Sequence, residues 1–107
     1  MFEIIDRFKT KKDINLYSNP FEAQKKAFKY LGYDAFLFPS DKDDKKYKIY
    51  NPNSKSWVHF GQMGYQDYTK HKDVQRRMNY LKRSNNIMGN WRDDKYSPNN
   101  LSINILW

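Results

Sequence analysis

The sequence predicts a single α+β domain over residues 1–107, a length that suits one domain and leaves little room for a second. Two stretches have helical character: a capped amphipathic segment after Ser18, and residues 69–85, where apolar side chains recur at helical spacing. Two further segments, 46–50 and 56–60, alternate in polarity as strands do. The predicted order is an N-terminal helical region, a small antiparallel hairpin or sheet, a basic amphipathic helix, and a short C-terminal strand or helix.

The composition indicates a folded chain of the cell interior. Aromatic residues make up 18% of the sequence, and each large ring can bury roughly 150–250 Å². The absence of cysteine excludes disulfides, thiolate metal sites and cysteine nucleophiles. The N-terminus lacks the pattern of a signal peptide, and the apolar runs fall far short of the ~20 residues that cross a bilayer. We therefore expect a soluble intracellular protein without a membrane partner.

The N-terminal region contains one well-defined helix start. Residues 1–17 are ambiguous and supply the apolar anchors Phe2, Ile4, Ile5, Phe8, Ile14 and Leu16. After them, Ser18 or Asn19 can cap a helix, Pro20 suits its first position, and Gly32 can end it. Phe21, Gln24, Phe28 and Leu31 would fall on one face of this helix.

The centre of the chain is predicted to form a short buried strand and then a hairpin. Residues 35–38 favour the buried strand, which Pro39 ends. The alternating segments 46–50 and 56–60 are joined by the turn-forming stretch 51–55, which predicts a β-hairpin.

The C-terminal half is predicted to begin with a long helix. Val74, Met78 and Leu81 would pack this helix on the sheet, with Lys72, Arg76 and Arg83 on nearly the opposite face. At the end of the chain, Leu101, Ile103, Ile105 and Trp107 alternate, which favours a closing strand, although a terminal helix stays open as the alternative.

Positive charge is concentrated in one central segment. Residues 46–83 contain nine Lys/Arg against two Asp/Glu, whereas residues 1–45 contain nine against eight, and the whole chain carries +8. Such a concentration attracts polyanions. Two glycines, Gly61 and Gly64, allow a tight path from the hairpin into the helix, so residues 46–85 form one basic hairpin–loop–helix unit. Backbone amides at the helix start, with Lys70, Lys72 and Arg76 beside them, would make a phosphate-sized anion site.

The same unit carries a motif, V-x-F-G-x-x-G-Y-x-D-Y-T-x-H-K-D-x-x-R-R-x-x-Y-L-x-R over residues 58–83, followed by Asn90-Trp91 and a closing Leu106-Trp107. It resembles a family of small uncharacterised proteins encoded by nucleocytoplasmic large DNA viruses (giant viruses). The resemblance covers residues 46–91, is most specific over 61–83, and leaves 1–45 uncovered. It implies a viral protein of the host cytoplasm or viral factory, or a virion component, and it supplies no activity.

The aromatic residues of this unit allow two interpretations. Tyr47, Tyr50, Trp57, Tyr65 and Tyr68 are candidates for stacking on unpaired bases. Strand alternation places only half of a hairpin's side chains on one face, and we expect most of the large rings, Trp57 included, to pack in the core.

Evidence for catalysis in the sequence is weak. His59, Asp67, His71 and Asp73 are the only candidate set for metal-assisted hydrolysis, but His71 and Asp73 are two residues apart and diverge on a helix. Asp67 or Thr69 is at least as suited to capping that helix. We therefore expect that the protein is not an enzyme and uses no cofactor or metal. A metal-dependent nuclease is the last alternative.

The favoured function is non-enzymatic, non-specific binding of DNA or RNA through the phosphate backbone, in genome handling or packaging by a giant virus. The alternative is a minor virion or capsid protein that binds acidic protein surfaces. The predicted nucleic-acid or anion-binding residues are Lys70, Lys72, Arg76, Arg77, Lys82, Arg83, Tyr65 and Tyr68.

Overall fold

A computed structural model describes residues 6–107 and has an α+β architecture. The sequence predicted this class. The predicted anchors Phe2, Ile4 and Ile5 lie outside the described residues. The helices are α1 (Ile14–Tyr17), α2 (Pro20–Leu31), α3 (Tyr68–His71), α4 (Val74–Asn85) and α5 (Pro98–Leu101), and the strands are β1 (Leu37–Pro39), β2 (Lys45–Asn51) and β3 (Ser56–Gln62). Short 3₁₀ turns occupy Phe8–Thr10 and Trp91–Asp93, and a π-helical segment, Ser102–Leu106, continues α5.

Helix α2 begins and ends as its sequence predicts. The Asn19 side chain accepts a hydrogen bond from the Glu22 amide, Pro20 occupies the first turn, and Gly32 ends the helix at φ 115°. Gln24 of the predicted face is fully buried, but the buried side of α2 is otherwise rotated from that face, because Ala23 and Ala27 are also fully buried and the helix packs against the C-terminal segment Ser102–Leu106. Phe28 and Leu31 are only partly buried and lie at the edge of the core.

The three strands form an antiparallel sheet in the order β1-β2-β3. In β2 and β3, Tyr47 lies opposite Phe60 and Tyr50 lies opposite Trp57, as expected of the predicted hairpin. The core lies on one face of this sheet, under the helices. It consists of Phe8, Ile14, Ala23, Ala27, Ala35, Leu37, Tyr47, Ile49, Phe60, Leu101, Ile105 and Leu106.

The predicted closing strand is wrong, and the alternative of a terminal helix is confirmed. Ser97 accepts a hydrogen bond from the Asn100 amide and Pro98 follows it, so a capped helix begins there. Leu101 and Ile105 are both fully buried and lie four residues apart, which is the spacing of one helical face. The same apolar residues also alternate in sequence, and this alternation is what favoured a strand.

The long helix predicted for residues 69–85 is interrupted. Lys72 has φ 57°, in the left-handed region, and separates α3 from α4. The Asp73 side chain accepts hydrogen bonds from the amides of Gln75 and Arg76, so it caps a new helix at the position where the first one stops.

The sequence predicted that α4 packs on the sheet through Val74 and Met78, but the structure shows that it does not. These two side chains are 59% and 57% exposed. The helix is held instead by its neighbouring face, against the C-terminal segment: the ring of Tyr80 stacks on Trp107 at 4.1 Å between centroids, and Asn99 donates to the carbonyl of Ser84. No helix within residues 6–107 is long and apolar enough to cross a membrane.

Candidate functional site

A cleft of about 870 Å³ lies between the sheet, α4 and the C-terminal segment. Helix α4 supplies residues at i, i+3, i+4 and i+7, a spacing that places them on one helical face. The cleft is lined by Lys45, Lys46, Phe60, Gly61, Gln62, Tyr65, Gln66, Arg76, Asn79, Tyr80, Arg83, Ile87, Pro98, Asn99, Ser102, Leu106 and Trp107. Its volume is typical of ligand-binding pockets in proteins.

The charge of this cleft is positive. Lys45, Arg76 and Arg83 contribute cationic groups, and the lining residues, all from the described part of the chain, include no Asp or Glu. Within residues 6–107 no carboxylate forms an ion pair with any of these three side chains. An anion entering the cleft therefore meets cations whose charge is not already neutralised by a partner.

Aromatic rings form part of the cleft wall. Tyr65 lies in the loop after β3 and is 71% exposed, so its ring is available at the surface of the cleft. Tyr80 and Trp107 stack on each other with an interplanar angle of 9°, and both line the cleft. The cleft thus combines cationic groups with planar aromatic rings.

The predicted anion site at the start of the basic helix is filled by the protein itself. The amides of Gln75 and Arg76 donate to Asp73, so these donors are occupied by a carboxylate. Lys70 and Lys72 are exposed but lie before α4, and neither lines the cleft. The helical break therefore separates Lys72 from Arg76 and Arg83, which remain together on one face of α4.

Tyr68 and Arg77 form a compact cluster with Lys72 beside the cleft. Arg77 donates through Nε to the main-chain oxygen of Trp107 at 2.6 Å, and its guanidinium lies 5.4 Å from the centroid of the Tyr68 ring. The Lys72 ammonium lies 5.6 Å from the same ring. Tyr68 and Arg77 are half-buried, so they hold α3, α4 and the C-terminus together. Lys82, the remaining predicted residue, is exposed on α4 outside the cleft lining.

Lys26 of α2 adds a cation that the sequence did not single out. Burial lowers its pKa, and the neighbouring positive charges of Arg77 and Lys72 lower it further. Positive charge therefore gathers on the Arg77 side of α4 as well as in the cleft.

A buried ion pair fixes the loop between β3 and α3. The Lys46 ammonium lies 3.0 Å from Asp67 Oδ2 and donates to the carbonyls of Tyr17 and Tyr65. Burial lowers the pKa of Lys46, and the Asp67 carboxylate opposes that shift. Only the stem of Lys46 is therefore offered to the cleft, because its ammonium group is fully engaged.

The same carboxylate anchors a chain of buried hydroxyl groups. Thr69 donates to Asp67, and Ser18 contacts both Thr69 and the hydroxyl of Tyr47, the latter at 2.7 Å. Burial raises the pKa of Tyr47. Asp67 thus supports the β3–α3 loop from inside the fold, and its side chain makes no cap hydrogen bond to α3.

The candidate metal set is dispersed. His59 Nδ1 lies 2.7 Å from Ser40 Oγ, whereas His71 Nδ1 accepts from the Asp73 amide and its ring packs between Tyr68 and Trp107. No cluster of three His, Asp or Glu residues suited to a metal ion occurs in the part of the chain that the structure describes. The nuclease hypothesis gains no support from this arrangement.

The aromatic residues of the hairpin divide between the two faces of the sheet. Tyr47 and Phe60 are fully buried, as the core interpretation predicted. Trp57, also expected in the core, is instead 47% exposed, and Tyr50 opposite it is 43% exposed. The alternation of β2 and β3 explains this division, since it places Tyr50 and Trp57 on the face away from the helices.

Part of the chain is similar to a protein family. Residues 36–84, just under half of the chain, are similar to a family of unknown function, DUF5754. The matched segment contains the whole sheet, the buried ion pair and nearly all of α4, but not the C-terminal segment that completes the cleft. No curated protein and no solved structure matches the chain.

Proposed function

We propose that this chain is a non-enzymatic protein that binds the phosphate backbone of DNA or RNA in its cleft. The observation that carries the proposal is the convergence of Lys45, Arg76 and Arg83 on one cleft whose lining contains no Asp or Glu among the described residues. Guanidinium groups bind phosphate oxygens in pairs of hydrogen bonds, and Arg76 and Arg83 lie on one face of α4. The setting we propose is genome handling or packaging by a giant virus, in the host cytoplasm, viral factory or virion.

Several cations around the cleft extend this proposed surface. Lys70, Lys72 and Lys82 are exposed on or beside α3 and α4, where they would add longer-range attraction to a polyanion. Tyr65 stands beside the cleft cations and would contact sugar or base. No element of the described chain resembles a known groove-reading motif, so the proposed binding is independent of base sequence.

The test is a comparison of two charge-reversal variants by fluorescence anisotropy with labelled DNA and RNA at low salt. Arg76→Glu/Arg83→Glu reverses two cleft cations, and Lys12→Glu/Lys29→Glu makes the same change in net charge at two exposed residues outside the cleft. We expect the cleft variant to lose at least tenfold more affinity than the control variant. Equal losses would show that net charge alone attracts nucleic acid and would contradict a binding cleft.

A second candidate function, a virion structural protein that binds a protein partner, is favoured by a different observation. Val74 and Met78 on α4, with Ile87 and Met88 after it, are between 50% and 92% exposed. Exposed apolar side chains of this size are typical of protein–protein contacts. A Val74→Gln/Met78→Gln variant separates the two functions, because it removes the apolar surface without changing the net charge. It should leave nucleic-acid binding intact and remove the chain from any assembly that depends on this face.

A further inference from the structure

The face of the sheet that points away from the helices carries a group of aromatic rings. Tyr50 and Trp57 lie directly opposite each other on β2 and β3, with ring centroids 5.5 Å apart. Phe38 of β1 meets the Trp57 ring edge-on at 5.6 Å. We call these three rings the aromatic sheet face. Tyr50 and Trp57 remain 43% and 47% exposed, so part of each ring is open to solvent.

Two cations lie over these rings. The Lys48 ammonium is 5.0 Å from the Trp57 ring centroid, and the Arg7 guanidinium is 4.4 Å from that of Phe38. One exposed carboxylate, Asp41, lies 3.7 Å from Lys48. A ligand on this face would therefore meet open aromatic surface bordered by positive charge, a combination that suits a base attached to a phosphate.

The aromatic sheet face and the cleft share strand β2. Lys45 and Lys46, at the start of the strand, line the cleft, and Tyr50 lies near the other end of the same strand, on the aromatic sheet face. Four residues of strand span about 13 Å at roughly 3.3 Å per residue. A single strand of nucleic acid whose phosphates occupy the cleft can therefore reach Tyr50 and Trp57 within a few nucleotides.

We propose that the aromatic sheet face stacks the unpaired bases of a single-stranded nucleic acid whose backbone is held in the cleft. This inference rests on the proposed function and adds a preference for single strands. Stacking on Tyr50 and Trp57 requires a free base face, and in a duplex both faces of an internal base are covered by its neighbours. A duplex can therefore use the cleft cations but not these rings.

The test uses fluorescence anisotropy of the full chain with labelled (dT)12 and with a 12-base-pair duplex. The variant Tyr50→Thr/Trp57→Thr removes both rings with a residue that strands accept. Tyr33→Ser, which removes an 87% exposed tyrosine outside the sheet, is the matched control. We expect the sheet variant to bind (dT)12 about tenfold or more weakly, with duplex binding unchanged, and the control to bind both as wild type does.

A second measurement avoids any loss of folding in the variant. In the wild-type protein, the indole N–H resonance of Trp57, identified with Trp57→Phe, should shift on addition of (dT)12 and stay in place on addition of duplex. A resonance that does not move at saturating (dT)12 would overturn the inference. So would a sheet variant that loses affinity for (dT)12 and for the duplex equally. If the inference fails in this way but the wild-type protein still binds duplex, the proposed function stands. A wild-type protein that binds neither ligand would contradict both the inference and the proposed function.

Discussion

The Lys46 ammonium and the Asp67 carboxylate form an ion pair 3.0 Å apart, and both side chains are almost completely buried. Lys46 lies on β2 and Asp67 directly before α3, so this contact joins the hairpin to the loop from which Tyr65 reaches the cleft. Two charges removed from water are tolerated only when each compensates the other. The pair therefore holds the shape of the cleft wall and contributes no free cation to it.

Removing one member of this pair should destabilise the fold strongly. Asp67→Asn leaves the buried ammonium without a counter-charge, and we expect a loss of about 3–5 kcal/mol in the free energy of unfolding, measured by urea denaturation. Lys46→Met/Asp67→Asn should recover a large part of that loss, because no charge is then left buried. The surface pair of Lys48 and Asp41 is the control, and Asp41→Asn should change stability little. The single variant Lys46→Met completes the comparison. If the loss of unfolding free energy in the double variant equals the sum of the losses in the two single variants, Lys46 and Asp67 are not coupled.

Gly61 should be more sensitive to substitution than Gly64. Both have positive φ, at 82° and 92°. A Cβ at Gly61 would lie 2.9 Å from Leu106 Cδ1 and 3.2 Å from Lys46 Cβ, whereas a Cβ at Gly64 would meet nothing within 4 Å. Alanine at either position costs about 1–2 kcal/mol of backbone strain, and only Gly61→Ala adds a clash in the core. Thermal melts of the two variants test this, and equal melting temperatures would contradict the close approach of β3 to the C-terminal segment.

His71 should make stability depend on pH. Burial of the ring, and then the nearby Arg76, lower its pKa below the ordinary 6.5. Because the unfolded chain takes up the proton first, the free energy of unfolding should fall as the pH drops from 6.5 toward the lowered pKa, and then level off. His71→Asn keeps an acceptor for the Asp73 amide and removes the titration, so its stability should fall less over this range. The measurement is urea denaturation at pH 7.5 and 5.5, and an unchanged pH dependence in the variant would contradict the assignment.

The local elements were predictable because short-range signals determine them. Asn19 and Pro20 start α2 through capping and backbone preference, and both act within a single turn. The hairpin follows from alternation in two adjacent segments joined by a turn, so its register needs no information from the rest of the chain. The cationic face of Arg76 and Arg83 follows from helical periodicity alone.

The remaining features depend on contacts that no local pattern contains. Lys46 pairs with a residue 21 positions away, so the sequence offered no sign that its charge is buried. The break at Lys72 reflects the strength of the Asp73 cap, whereas the residue types around it favour a continuous helix. Val74 and Met78 have the spacing of a packing face, but the stacking of Tyr80 on Trp107 turns α4 so that they face solvent.

The most direct test of the cleft is the salt dependence of nucleic-acid binding. Counterion release predicts that log K falls linearly with log salt, with a slope set by the number of phosphates neutralised. We expect a clear negative slope for wild type, and a slope smaller by about two in Arg76→Ala/Arg83→Ala, since two phosphate contacts are lost. An unchanged slope in that variant, or wild-type binding insensitive to salt, would contradict a phosphate-binding cleft.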